Sequence, residues 1–244
     1  MSADPHAAPV LSAANEAKRL PRLARTGALA TLERDGAGPL TTLVGVASDW
    51  DGSPLFLMSD LSRHSRNLAA DPRASLLVTS EPGRGDPLNR PRLSVGGAVV
   101  VQNDATARDR YIRRNPKAKL YANFADFSLR RLNIESIHFN GGFGRADAVA
   151  REDLVTPAGD IGALIAAEDR LLEEFYAVGE RGIAKLVAGA SSRRRGWRAV
   201  GIDAEGLDLA AGGATARVDF FAPAFDPVTW RRKLEEILAA SAQK

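Results

Sequence analysis

The 244-residue sequence has no cysteine, only two methionines and only three histidines. Without a thiol there is no disulfide, no iron–sulfur cluster, no thiolate zinc site and no cysteine nucleophile. His6, His64 and His138 are the whole imidazole set, and His6 sits in a polar leader, so a multi-histidine metal site has little to be built from. No apolar run approaches the ~20 residues that span a bilayer. The first ten residues lack the basic start and apolar block of a secretory leader. The reading is a soluble, cytoplasmic chain with no membrane partner. A formal net charge of +3 tolerates anionic ligands without demanding nucleic acid.

What is present is ordinary globular composition, 45% apolar and 26% charged, so a packed core is expected rather than disorder. Residues 1–11 read as a flexible leader. Residues 12–25 read as a helix, with Ala14, Ala17, Leu20 and Leu23 on one stripe and Pro21 as a kink or break. From Gly27 the period changes to that of strands, 27–34 and 39–47, joined by the hairpin signal Asp35-Gly36-Ala37-Gly38. Asp49-Trp50-Asp51-Gly52 makes a second turn before a strand at 54–58. Residues 59–71 read as a helix ended by Asp71-Pro72, because proline disfavours a helical residue before it. Strands follow at 74–80 and 92–102, the latter with a bulge at Gly96-Gly97. A helix capped by Asp104 covers 104–115, and strands are expected at 129–139 and 143–149. Hairpins without βαβ alternation favour a mainly β plus α fold, an antiparallel split β-barrel with peripheral helices.

That barrel is assigned to 12–150. The proline- and glycine-containing stretch 151–160 reads as a linker, and 161–244 as a small α+β domain. The latter has helix over 161–192, strands at 197–203, 207–211 and 214–221, and a last helix at 227–240 capped by Asp226. The face carrying Glu168, Asp169, Glu173 and Glu174 reads as solvated. Arg110, Arg113 and Arg114 read as the wet side of their helix, with Tyr111 and Ile112 inward. Ser191-Ser192-Arg193-Arg194-Arg195 reads as a solvated loop rather than a nucleic-acid contact. Gly141-Gly142-Phe143-Gly144-Arg145 lacks the third spaced glycine and the βαβ frame of a dinucleotide site.

The segment richest in chemistry runs Met58-Ser59-Asp60-Leu61-Ser62-Arg63-His64-Ser65-Arg66-Asn67-Leu68. Ser62 stands where a helix N-cap belongs, and the free N–H groups there favour an anion that Arg63, His64 and Arg66 would reinforce. The other reading is a capped surface helix with solvated charges. His138, near the end of a strand, is either a hydrogen-bonded strand histidine or a ligand facing a flat cleft.

The order and spacing of several stretches resemble the pyridoxamine 5'-phosphate oxidase-like, FMN-binding split-barrel family. They are Leu57-Met58-Ser59, Ser62-Arg63-His64 and Asn67-Leu68-Ala69-Ala70-Asp71-Pro72. The stretches Gly85-Asp86-Pro87-Leu88, Pro91-Arg92-Leu93-Ser94, Asp126-Phe127-Ser128-Leu129 and Phe139-Asn140-Gly141-Gly142-Phe143 resemble its haem-utilisation subgroup more narrowly. Gly201-Ile202-Asp203-Ala204-Glu205-Gly206 resembles the small α+β domain that follows such barrels.

The resemblance implies a homodimer with a cofactor, haem or FMN, in a cleft between the two copies. For haem it implies oxidative ring opening; of the residues present, His138 is then the first candidate for the iron ligand and His64 the second, and Arg63, Arg66 or Arg145 could meet the carboxylates. For FMN it implies an oxidoreductase in which Ser59, Ser62, Arg63, His64 and Arg92 hold the phosphate and Thr41 and Thr42 line the ring. Two departures weigh against a standard site. Thr41 and Val46 stand where flavin-using relatives carry arginine and lysine. Ile165-Ala166-Ala167-Glu168-Asp169-Arg170 replaces a stretch with two histidines. A barrel that has lost its cofactor and serves as a binding scaffold is the third reading.

Overall fold

The computed structural model describes residues 12–80, 85–143, 145, 148–156, 161–187, 195–220 and 222–242. Helix α1 (Ala13–Leu23) leads into strands β1 (Thr26–Leu32), β2 (Pro39–Gly45), β3 (Ala47–Ser48) and β4 (Pro54–Ser59). Helix α2 (Arg63–Ala70), β5 (Arg73–Thr79), β6 (Arg92–Val101), α3 (Ala105–Arg114) and β7 (Phe127–Asn140) complete the first part. These seven strands form one antiparallel sheet in the order β2-β1-β5-β6-β7-β4-β3. Its two edge strands, β2 and β3, are consecutive in the chain and separated only by Val46, so one bent segment borders the sheet on both sides. The sheet thereby curls into the expected split barrel.

Turn chemistry sets the register. Gly36 and Gly38 take positive φ (76° and 111°) and close the β1–β2 hairpin, with Leu32 opposite Pro39. The β6–β7 register shifts between Gly96 and Gly97, the expected bulge. Inward residues of alternate parity, among them Leu29, Val44, Phe56, Leu76, Val95, Leu132 and Ile134, fill the barrel. Ser62, Asp104 and Asp226 each accept backbone N–H bonds as N-caps. Pro21 neither breaks nor divides α1, which runs on through it. The described residues of 143–149 are not strand.

After a short helix α4 (Arg151–Leu154), whose Leu154 joins the barrel core, come α5 (Gly162–Tyr176) and α6 (Gly179–Leu186). Then follow β8 (Arg198–Asp203), β9 (Gly206–Ala211), β10 (Ala214–Asp219) and the terminal α7 (Pro227–Ala242). The small sheet, ordered β10-β9-β8, is buried on both faces. One face packs Leu207, Leu209, Ala216 and Val218 against Leu171, Phe175 and Trp230 of the helices. The other meets α1 and α3 of the barrel through ions.

At that seam Arg22 bonds Asp203 (2.8 Å), and Arg217 bonds both Asp203 (2.6 Å) and Asp208 (2.8 Å). Arg110 reaches Glu168 and the carbonyl of Ile202. Two expectations are overturned here. Arg110 and Arg114 are 2% and 5% exposed, not a wet face, and Glu168, at 1%, is not solvated. The three carry charge on stripes that are otherwise apolar, and each guanidinium is desolvated by the opposing part of the fold. Burial would raise the Asp203 carboxyl, but Arg217 and Arg22 outweigh it and hold it well below the usual carboxylate range. In the basic run, residues 191–194 lie outside the described residues.

Candidate functional site

The sequence-predicted residues fall into two groups at opposite ends of β6 and β7. At one end, β4 runs out at Ser59 and α2 begins. Ser62 Oγ donates to the Ser59 carbonyl (2.8 Å) and accepts from Ser65 N (3.2 Å). Ser59 Oγ donates to Asp126. The half-buried His64 shares a 3.1 Å hydrogen bond between Nδ1 and Thr42 Oγ1. Arg130 of β7, buried on the inward parity, bonds Asp60 (2.9 Å) while its Nε has no hydrogen-bond partner. Sequence reasoning missed Arg130, Asp60 and Asp126. The available signal was an arginine at the parity of Leu132 and Ile134, where an apolar side chain is expected.

Arg63 and Arg66 line a polar surface cleft of about 330 Å³ with Glu33, Arg34, Asp35 and Asn67. Arg63 is exposed and paired with Glu33 (2.9 Å), and Arg66 donates to the Leu61 carbonyl. Val46 is sealed in the barrel core.

Burial, and then the nearby Arg130 charge, lower the His64 pKa. A histidine depressed in the folded state is protonated first in the unfolded chain. Stability is therefore full above the unfolded value of ~6.5 and falls as pH drops through that value toward the folded one. Urea midpoints taken at about pH 8 and about pH 5.5 should show this loss in the native protein and less of it in His64→Gln. An identical pH slope in the two proteins would remove His64 as its source.

The second group lies on the far side. Arg92 begins β6 opposite Asn140 and donates to the Leu88 carbonyl (2.8 Å). Val101, at the other end of β6, pairs with Arg130, so roughly 30 Å of strand lies between Arg92 and Arg130 at ~3.3 Å per residue. Arg145 pairs with Glu16 (2.7 Å). Among the described residues of one protomer, no hydrogen bond or ion pair joins Arg92, His138 or Arg145 to Ser62 or His64.

His138 is exposed, and it makes no side-chain hydrogen bond or ion pair among the described residues. It ends a cross-strand row, Leu43–Ala28–Leu77–Ser94–His138, beside a parallel row Thr41–Ala30–Ser75–Gly96–Ser136. These residues are partly or largely exposed, Leu43 reaching 77%. Their side chains are mostly short, which leaves an even outer sheet face with an imidazole at its rim. Among the described residues no cluster of three or more acidic or histidine side chains could hold a bare metal ion, and no helix is long and apolar enough to cross a membrane.

This barrel, with its paired edge segments and helix-starting serine, defines a split-barrel protein of the pyridoxamine-phosphate-oxidase type. The sequence matches the family described as "CREG, beta-barrel" over residues 8–155, and the chain belongs to that family. It is 33% identical over 126 residues to the non-canonical heme oxygenase HOZ, chloroplastic, of Arabidopsis thaliana. That match covers 49% of this chain and 37% of the relative, so the chain spans well under half of that protein's length. The protein Atu2129 of Agrobacterium tumefaciens, of unknown function, is similar over 96% of this chain and 100% of its own, with 31% identity and a TM-score of 0.80. A heme binding protein from Mycobacterium smegmatis is similar over 97% and 100%, with 26% identity and a TM-score of 0.57.

Proposed function

We propose that this protein binds haem against the outer face of β6 and β7, in a cleft completed by a second copy of the chain, with His138 as the side chain that would hold its iron. The observation that carries the reading is the exposed, unpartnered imidazole of His138 at the rim of a level, short-side-chain face. Such a face suits the flat ring of haem, and such a nitrogen is one of the ligands its iron takes. The names of the Arabidopsis and Mycobacterium relatives, a heme oxygenase and a heme binding protein, support the same ligand.

A homodimer is part of the proposal because it can bring the two separated residue groups to one ligand. Arg145 of one copy, and Arg63 and Arg66 of the other, are placed in this reading as partners of the porphyrin carboxylates. Bound haem would supply the oxygen chemistry of its iron, and oxidative degradation of the ring is the reaction proposed. This chain's share would be to orient the ring, shield its inner edge and hold the iron through His138.

The FMN alternative draws on Ser59, Ser62, His64, Thr41, Thr42 and Arg92. It stands second because Val46 is sealed in the core where a basic residue would be needed. Titration of hemin and of FMN into the protein separates the readings. The expected result is a Soret band that saturates at a fixed stoichiometry, without flavin fluorescence quenching. Saturable FMN binding alone would favour the oxidoreductase, and binding of neither would leave a scaffold.

A further inference from the structure

The ionic seam between barrel and small sheet leaves one guanidinium without a carboxylate. Of its four buried arginines, Arg22 pairs with Asp203 and Glu205, Arg110 with Glu168, and Arg217 with Asp203, Asp208 and Asp219. Asp49, also buried, shares Arg131 with Asp51. The arginine left over is Arg114. Its Nη2 donates to the Arg22 carbonyl (2.6 Å), it forms no ion pair among the described residues, and its buried Nη1 has no hydrogen-bond partner. Burial and the neighbouring Arg25, Arg110 and Arg217 all oppose its charge, with Asp208 only partly offsetting them. An uncompensated buried guanidinium is costly.

Beside it lies a small cavity lined by Ala47, Ser48, Arg110, Arg114, Val200, Gly201 and Asp208, with about 10 Å³ open to the centre of a water-sized particle. Arg110 is fixed there by bonds to Ser48 O (2.8 Å) and Ile202 O (2.6 Å), and by its pair with Glu168. Gly201 leaves room for this approach, since a Cβ would stand 3.1 Å from the Arg110 guanidinium. Asp208, the one carboxylate on the wall, accepts at Oδ1 from Arg217 (2.8 Å).

We infer that this cavity is a site for a single small inorganic monoanion of halide size, bound between Arg114 and Arg110, which neutralises the unpaired Arg114 and helps hold the two parts of the chain together. A ligand that binds only the folded state raises its stability with concentration and saturates. At constant ionic strength, the melting temperature of the full chain should therefore rise saturably when gluconate is exchanged for chloride or bromide. Arg114→Gln should abolish the difference between anions. A crystal grown in bromide should show an anomalous peak in the cavity, a readout that needs no variant to fold. A melting temperature indifferent to the anion, or a bromide crystal holding only water at this position, would overturn the inference.

Discussion

Replacing Asp203 with alanine is expected to cost about 3–5 kcal/mol of folding stability, the range for removing one partner of a buried ion pair. Asp203 is fully buried and holds two guanidiniums, Arg22 of the barrel and Arg217 of the small sheet, at 2.8 and 2.6 Å. Its loss strands both charges away from water. The urea midpoint should fall with an unchanged slope, since the surface exposed on unfolding is the same. Asp203→Asn keeps an acceptor but not the charge and should fall between alanine and the native protein. Asp203 and Glu205 both titrate below their ordinary range, because arginine and lysine partners outweigh the effect of burial. A depressed carboxyl adds stability that is complete above the unfolded value near pH ~4 and is lost as pH falls toward the folded one. The Asp203→Ala variant should accordingly show a shallower acid limb. A cost under about 0.5 kcal/mol, the ordinary range for surface substitutions, would mean the seam is not the clamp described.

Gly97→Ala should be nearly as damaging, on the order of 3 kcal/mol from overpacking and backbone strain combined. At the β6–β7 bulge Gly97 has φ +157°, and a Cβ there would stand 1.9 Å from the carbonyl oxygen of Asn133. That atom is backbone of the neighbouring strand and cannot rotate away. Gly36→Ala, in the β1–β2 hairpin, meets nothing within 4 Å and bears only the strain of its φ of +76°. Thermal unfolding of the two variants side by side should place Gly97→Ala well below Gly36→Ala. Equal melting temperatures would show that the bulge can re-register.

The barrel was legible because its signals are local. Asp35-Gly36-Ala37-Gly38, Gly96-Gly97, Ser62 and Asp104 each dictate a turn, bulge or cap within a few residues, and each is found where the spacing places it. The seam was not legible by the same reading, because charged side chains were assigned to solvent. Yet Ala107, Arg110, Tyr111 and Arg114 follow the i, i+3, i+4, i+7 spacing of a buried stripe. Glu168 likewise sits among Leu164, Ala167, Leu171, Leu172 and Phe175. Spacing named these positions as inward. Only the fold shows that arginine and glutamate from segments 58 residues apart meet there. For the site, the Ser62 cap could be anticipated from the helix start, whereas the bond between His64 and Thr42 of β2 joins two elements that only the fold brings together. The distance between that group and Arg92 or His138 could not be anticipated either, since it depends on which end of β6 each residue occupies.

The central claim, haem held by His138, is tested most directly by the absorption spectrum of the hemin-loaded protein, native against His138→Ala, with His64→Ala as the control. The account predicts a saturable Soret band that shifts and weakens in His138→Ala and is unchanged in His64→Ala. A band that is the same in all three proteins, or lost only in His64→Ala, would contradict it.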